Sequence, residues 1–110
     1  MKSRIFKDRI IAYKKTDKFL AVSLEFDLLA EGKDMIQALK RLHDATTGYL
    51  KTCYEDNETD KEIYRKAPKK YQDMYDLFME LSEKTHKKEK SFKEVSSIQL
   101  TYTSESFCHA

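Results

Sequence analysis

Tryptophan is absent, proline occurs once, and glycine and cysteine occur twice each. Chain breakers are therefore scarce, and regular elements should dominate. No apolar run approaches the roughly eighteen residues that a membrane-spanning helix needs. The first fifteen residues carry basic side chains but no uninterrupted apolar stretch of about seven, so no secretory leader is read there and the cytoplasm is the expected compartment. Cys53 and Cys108 lack the C-x-x-C spacing of metal and redox sites, and both read as free thiols, Cys53 as a small packed hydrophobe. An excess of one charge sign is also missing. Lysine and arginine number 21 against 19 acids, giving a net charge of +2 and a pI near 8.4, short of the balance expected of a domain that coats nucleic acid. No internal repeat and no known catalytic motif is present.

What is there suits one folded domain spanning residues 1–110. Hydrophobic residues make up 40%, aromatics 12% and charged residues 36%, enough apolar side chains to offset backbone ordering entropy around a single core. Ile5, Phe6, Ile10, Ile11 and Tyr13 form a run of β-formers, and Lys14 to Lys18 is a short polar break, which predicts a β-hairpin. In the next strand Leu20, Val22, Leu24 and Phe26 share one face and Ser23 and Glu25 the other, the period-two pattern of a sheet with one face on a core. Leu28 and Leu29 supply a third short strand after a turn at Asp27. Gly32 ends it, in a place where a positive φ would suit glycine.

Asp34 reads as an N-cap with Gln37 as its capping-box partner, followed by Met35, Ala38, Leu39, Leu42, Ala45, Thr46, Tyr49, Leu50 and Cys53 at helical spacing. Gly48 within this helix points to close packing on the sheet or to a local weakness. Thr59 and Glu62 form a second capping box opening a short turn through Lys66, and Ala67-Pro68 precedes another long helix. That helix carries Tyr71, Met74, Tyr75, Phe78 and Leu81 on one stripe. Residues 84 to 91 read as a basic linker, and Ile98, Leu100 and Tyr102 then alternate with polar residues in a last strand. The expected fold is α+β: a small antiparallel sheet in β-β-β-α-α-β order, core 4–53 plus 92–104, with a helical insertion at 60–84.

Gly32-Lys33-Asp34-Met35-Ile36-Gln37-Ala38-Leu39, with Tyr49-Leu50 near the helix end, resembles the HicB antitoxin-like family, in which this corner often reads G-D-T-x-E-E-A. Ile36 and Gln37 stand where that family has paired glutamates, and Phe26-Asp27-Leu28 replaces its usual Pro-Gly. The resemblance covers about residues 5 to 53. It implies a truncated ribonuclease-H-like core acting as an antitoxin that binds and masks a small messenger-RNA-cleaving partner, without an evident DNA-binding module.

A two-metal nuclease would need several converging carboxylates. Asp8 on the first strand is the one candidate, read as a solvated edge residue, and the terminal strand offers no acid. His43, His86 and His109 are scattered, His43 being a partly exposed structural residue beside the apolar stripe. Cys108-His109 resembles a ligand pair only in sequence. No catalytic residue, metal or cofactor is therefore expected. Function is expected to be protein binding, as a homo-oligomer and with a toxin-like ribonuclease, through Tyr75, Phe78, Ile98, Leu100 and Tyr102. The stripe on the second long helix covers either the chain's own sheet or the same surface of another copy. The alternative is a nucleic-acid-binding module using the stretch from Lys84 to Lys93, with Lys84, Lys87, Lys88 and Lys90 as the basic patch.

Overall fold

The computed structural model describes residues 4–85 and 95–104. Strands β1 (Ile5–Lys15), β2 (Lys18–Ser23) and β3 (Leu28–Gly32) are followed by helices α1 (Met35–Glu55), α2 (Asp60–Ile63) and α3 (Lys69–Thr85) and by strand β4 (Val95–Thr103). The fold class is α+β, as the periodicities predict. All pairings are antiparallel, in a four-stranded sheet of order β3-β2-β1-β4.

The hairpin joining β1 to β2 is tighter than the polar break implies. Lys15 pairs with Lys18, so only Thr16 and Asp17 lie at the tip. Thr16 takes a φ of 61°, uncommon for a β-branched residue.

Both faces of the sheet are covered, which departs from the one-sided pattern read in β2. On one face Ile10, Ala12 and Ala21 pack under Ala38 and Leu42 of α1. On the other, Ile11, Val22 and Leu24 pack under Ala67 and Tyr75. Phe26 does not share a face with Leu24. The chain turns at Asp27, whose φ is 56°, and Phe26 joins Phe6, Leu50, Cys53 and Ile63 at the far end of α1. The aromatic stripe of α3 thus covers the chain's own sheet.

Two long helices of opposite sense separate β3 from β4. Helix α1 starts beside Gly32, next to the hairpin end of β1, and finishes against Phe6 at the other end. Helix α3 starts near Leu24, where Ala67 N–H donates to the Leu24 carbonyl at 3.0 Å, and its later residue Met79 meets Ser97. A single helical crossover would deliver β4 parallel to β1. The second helix reverses the chain once more, and β4 arrives antiparallel, with Ile5 opposite Thr103 and Tyr13 opposite Val95.

Asp34 Oδ1 accepts a hydrogen bond from Gln37 N–H at 2.8 Å, and Gln37 Oε1 accepts from Lys33 N–H at 2.9 Å. The cap is the predicted one, with its reciprocal arm reaching one residue further back. Removing it with Asp34→Ala is expected to cost about 1 kcal/mol, measurable as a lower urea midpoint at unchanged slope. At the other end of α1, Asn57 takes a φ of 56° while Glu58 N–H donates to the Cys53 carbonyl at 3.0 Å, a left-handed helix stop.

The buried face of α1 is Ala38, Leu42, Thr46, Leu50 and Cys53, a narrower set than the stripe read from the sequence, which also included Ala45 and Tyr49. Ala45 is exposed. Thr46 tolerates full burial because its hydroxyl donates to the Leu42 carbonyl at 2.8 Å. Gly48 is not a close-packing position, since a Cβ there would meet nothing within 4 Å. Gly32 has no positive φ. Its Cβ would instead stand 2.4 Å from the backbone nitrogen of Ala38, so glycine is needed for the close approach of strand end and helix start.

Candidate binding surface

Small residues decide where α1 lies. Ala12, Ala21 and Ala30 on the sheet and Ala38 on the helix draw it over β1, β2 and β3, and the missing Cβ of Gly32 lets its first turn close down at that side. The β4 side of this face is consequently less covered. A groove of about 330 Å³ remains there, walled by Ile36, Leu39, Lys40 and His43 of α1 and by Ile10, Ile98 and Leu100 of the sheet. Its floor is apolar and its rim basic. Ile36 is 75% exposed, a large aliphatic side chain in the first helical turn with little of its surface buried by the domain itself. At the far end of the groove the His43 ring stacks on Tyr102, centroids 5.8 Å apart and planes inclined by 21°.

Strand β4 forms the outer wall and lies at the edge of the sheet. Its nine residues, VSSIQLTYT, include no charge and no proline. These are the usual devices that stop an edge strand from recruiting another chain.

Of the interface residues expected from sequence, Ile98 and Leu100 line this groove, half-buried. Tyr75 and Tyr102 do not offer contact surface. Tyr75 is 5% exposed beneath α3, and Tyr102 is 4% exposed in the core; helical and strand periodicity identified their faces but not that each face is covered internally. Phe78 is half-buried against the same cluster as Tyr75. Sequence reasoning missed Ile36, which stands one residue outside the apolar stripe, and Leu39 was read only as stripe. Of the basic patch, Lys84 lies in α3 near its end, and Lys87, Lys88 and Lys90 lie outside the described residues. So do His86, Cys108 and His109.

Asp8 is not a solvated edge residue. Strand β1 is central, paired with β2 and β4, and Asp8 is 2% exposed on the α1 face. Oδ1 accepts from Glu25 N–H at 3.1 Å. Oδ2 and the buried Tyr102 hydroxyl have no hydrogen-bond partner among the described residues. Burial pushes the Asp8 carboxyl up to about 6, against the lowering effect of hydrogen bonds from the Ser23 side chain and from backbone N–H groups. Burial also pushes the Tyr102 phenol up to about 12, the neighbouring Asp8 charge adding to it. Among the described residues no three histidines, cysteines, aspartates or glutamates are grouped so as to hold a metal ion.

On the opposite face, the polar groups bordering the apolar cluster of Ile11, Val22 and Leu24 are occupied by their own pairs. Arg9 Nε donates to Glu25 Oε2 at 2.5 Å and Arg9 Nη2 to Gln72 Oε1 at 2.8 Å, while its guanidinium lies 5.3 Å from the Tyr75 ring centroid. Gln99 Nε2 donates to the Tyr75 hydroxyl at 3.2 Å. Cys53 is buried and free, its thiol pushed up by burial. No helix among the described residues is long and apolar enough to cross a membrane. No family model matches the chain, and no curated protein or solved structure is detectably similar to it.

Proposed function

We propose that this domain is a non-catalytic protein-binding module acting in the cytoplasm, and that the groove between α1 and β4 receives its partner. The observation that carries this reading is the apolar groove with the three-quarters-exposed Ile36 at its mouth. A large apolar residue bordered by basic rim groups is the composition of an interface anchor rather than of a solvated surface. The corner motif from Gly32 to Leu39 supports a finer proposal, a HicB-like antitoxin that masks a small ribonuclease toxin by covering it. The spacing of glycine and alanine in that motif has a physical sense here, because those two residues make the strand-to-helix contact that positions Ile36 and Leu39.

The test is co-expression with the product of the adjacent reading frame. Co-purification and relief of any growth arrest are the expected results; failure of both rejects the antitoxin reading. Ile36→Asp is expected to weaken capture of that product more than tenfold, as loss of a central anchor does. Its melting temperature should stay near that of the native chain, because so little of Ile36 is buried. Undiminished capture would move the contact elsewhere on the domain.

A further inference from the structure

We infer that the outer edge of β4 pairs with β4 of a second copy, antiparallel and centred on Gln99. The inference does not rest on the antitoxin reading. Nine residues of β4 stand at the edge of the sheet without charge or proline. Such a strand meets no like-charge repulsion when it faces itself.

The register follows from the alternation of the strand. A two-fold axis perpendicular to the sheet keeps each residue on its own face, so the axis must pass through a residue of β4. With the axis at Gln99 all nine residues pair; moving it to Ile98 or Leu100 shortens the ladder by two residues. At the Gln99 register, Ile98 faces the second copy's Leu100 and Leu100 faces its Ile98. Those four aliphatic side chains would make one apolar strip joining the grooves of the two copies. On the other face Ser97 faces Thr101, and Gln99 faces itself, pairs of polar side chains able to hydrogen-bond across strands.

The helices leave room for this arrangement. Helix α1 lies toward β2 and β3, away from the edge. Helix α3 meets β4 at Ser97 and Gln99, while Thr101 is exposed. The axis sets the covered end of one copy beside the open end of the other. An eight-stranded continuous sheet results, with both α1 helices on one face flanking a single long groove.

Gln99 is exposed, so charge can be placed there without opening the core. Sedimentation equilibrium of the native chain should show a dimer. Gln99→Lys and Gln99→Glu should each weaken it about tenfold, by setting like charges across the axis at close range. An equimolar mixture of the two should recover at least the native affinity, since the unlike pair attracts. A native chain that stays monomeric into the high micromolar range overturns the inference, as does a dimer indifferent to both substitutions. A dimer weakened by both but not restored on mixing overturns the Gln99 register. The two readings are separated by face: the Gln99 variants lie on the α3 face and report pairing, whereas Ile36→Asp lies in the groove on the α1 face and reports capture.

Discussion

The Asp8→Asn variant is expected to be more stable than the native chain at pH 7, by about 2 kcal/mol. It should also flatten a stability profile that falls in the native chain as pH rises from about 4 to about 6. In the unfolded chain the carboxyl ionises near its ordinary 3.8, whereas in the fold it keeps its proton up to about 6. Between those values the native state binds more proton than the unfolded state, so the unfolding free energy declines with rising pH. The contribution is fully present below the lower value and lost above the higher one. The displacement corresponds to about 3 kcal/mol across the window. Burial and the Glu25 charge oppose the anion, while the Ser23 side chain and the Glu25 and Arg9 backbone N–H groups favour it. Asparagine keeps an acceptor for Glu25 N–H and carries no charge to desolvate. Urea denaturation of both chains at pH 4 and pH 7 decides the matter. A native profile that is flat over that range would show that Asp8 is solvated.

The two glycines should respond to alanine in opposite directions. Gly32→Ala sets a methyl group 2.4 Å from the nitrogen and 2.9 Å from the Cα of Ala38. Both atoms are backbone, so no rotamer relieves the contact, and the first turn of α1 must lift from the sheet. A cost of about 3 kcal/mol is expected, the upper end of ordinary overpacking. Gly48→Ala meets nothing within 4 Å and lies in the interior of α1, so it should gain about 1 kcal/mol from helix propensity alone. Paired urea titrations measure both. If Gly32→Ala proved harmless, the strand-to-helix corner would be looser than its geometry states, and the placement of Ile36 and Leu39 would lose its explanation.

Much of this architecture was legible from short-range patterning. The alternation in β2 and β4, the cap at Asp34 and the helical spacing of α1 are local properties, and an element formed on each, although β2 stops at Ser23, short of the Leu24 and Phe26 that its pattern included. Strand order is not local. Asp8 falls in phase with Phe6, Ile10 and Ala12, so its inward direction was readable. Its burial was not, because that required knowing that β4 covers the second edge of β1. Tyr75 and Tyr102 illustrate the same limit, since an apolar stripe announces that it will be covered without naming what covers it. Thr46 displaced Ala45 on the inner face because a hydroxyl bonded to its own helix behaves as an apolar group of similar size. The groove arises from a negative feature, the narrowness of alanine and glycine side chains beneath α1, and hydrophobic periodicity carries no mark of it.

The pairing of Ile5 with Thr103 bears on how the protein is made. Strands β1 to β3 and helix α1 can assemble as soon as they leave the ribosome, but one flank of β1 then waits, with Phe6, Asp8 and Ile10 open along it, until residue 103 emerges. During that interval the nascent chain presents an unsatisfied strand to its neighbours on the polysome. The speed at which the segment from α2 to β4 is translated therefore sets how long that vulnerable state lasts.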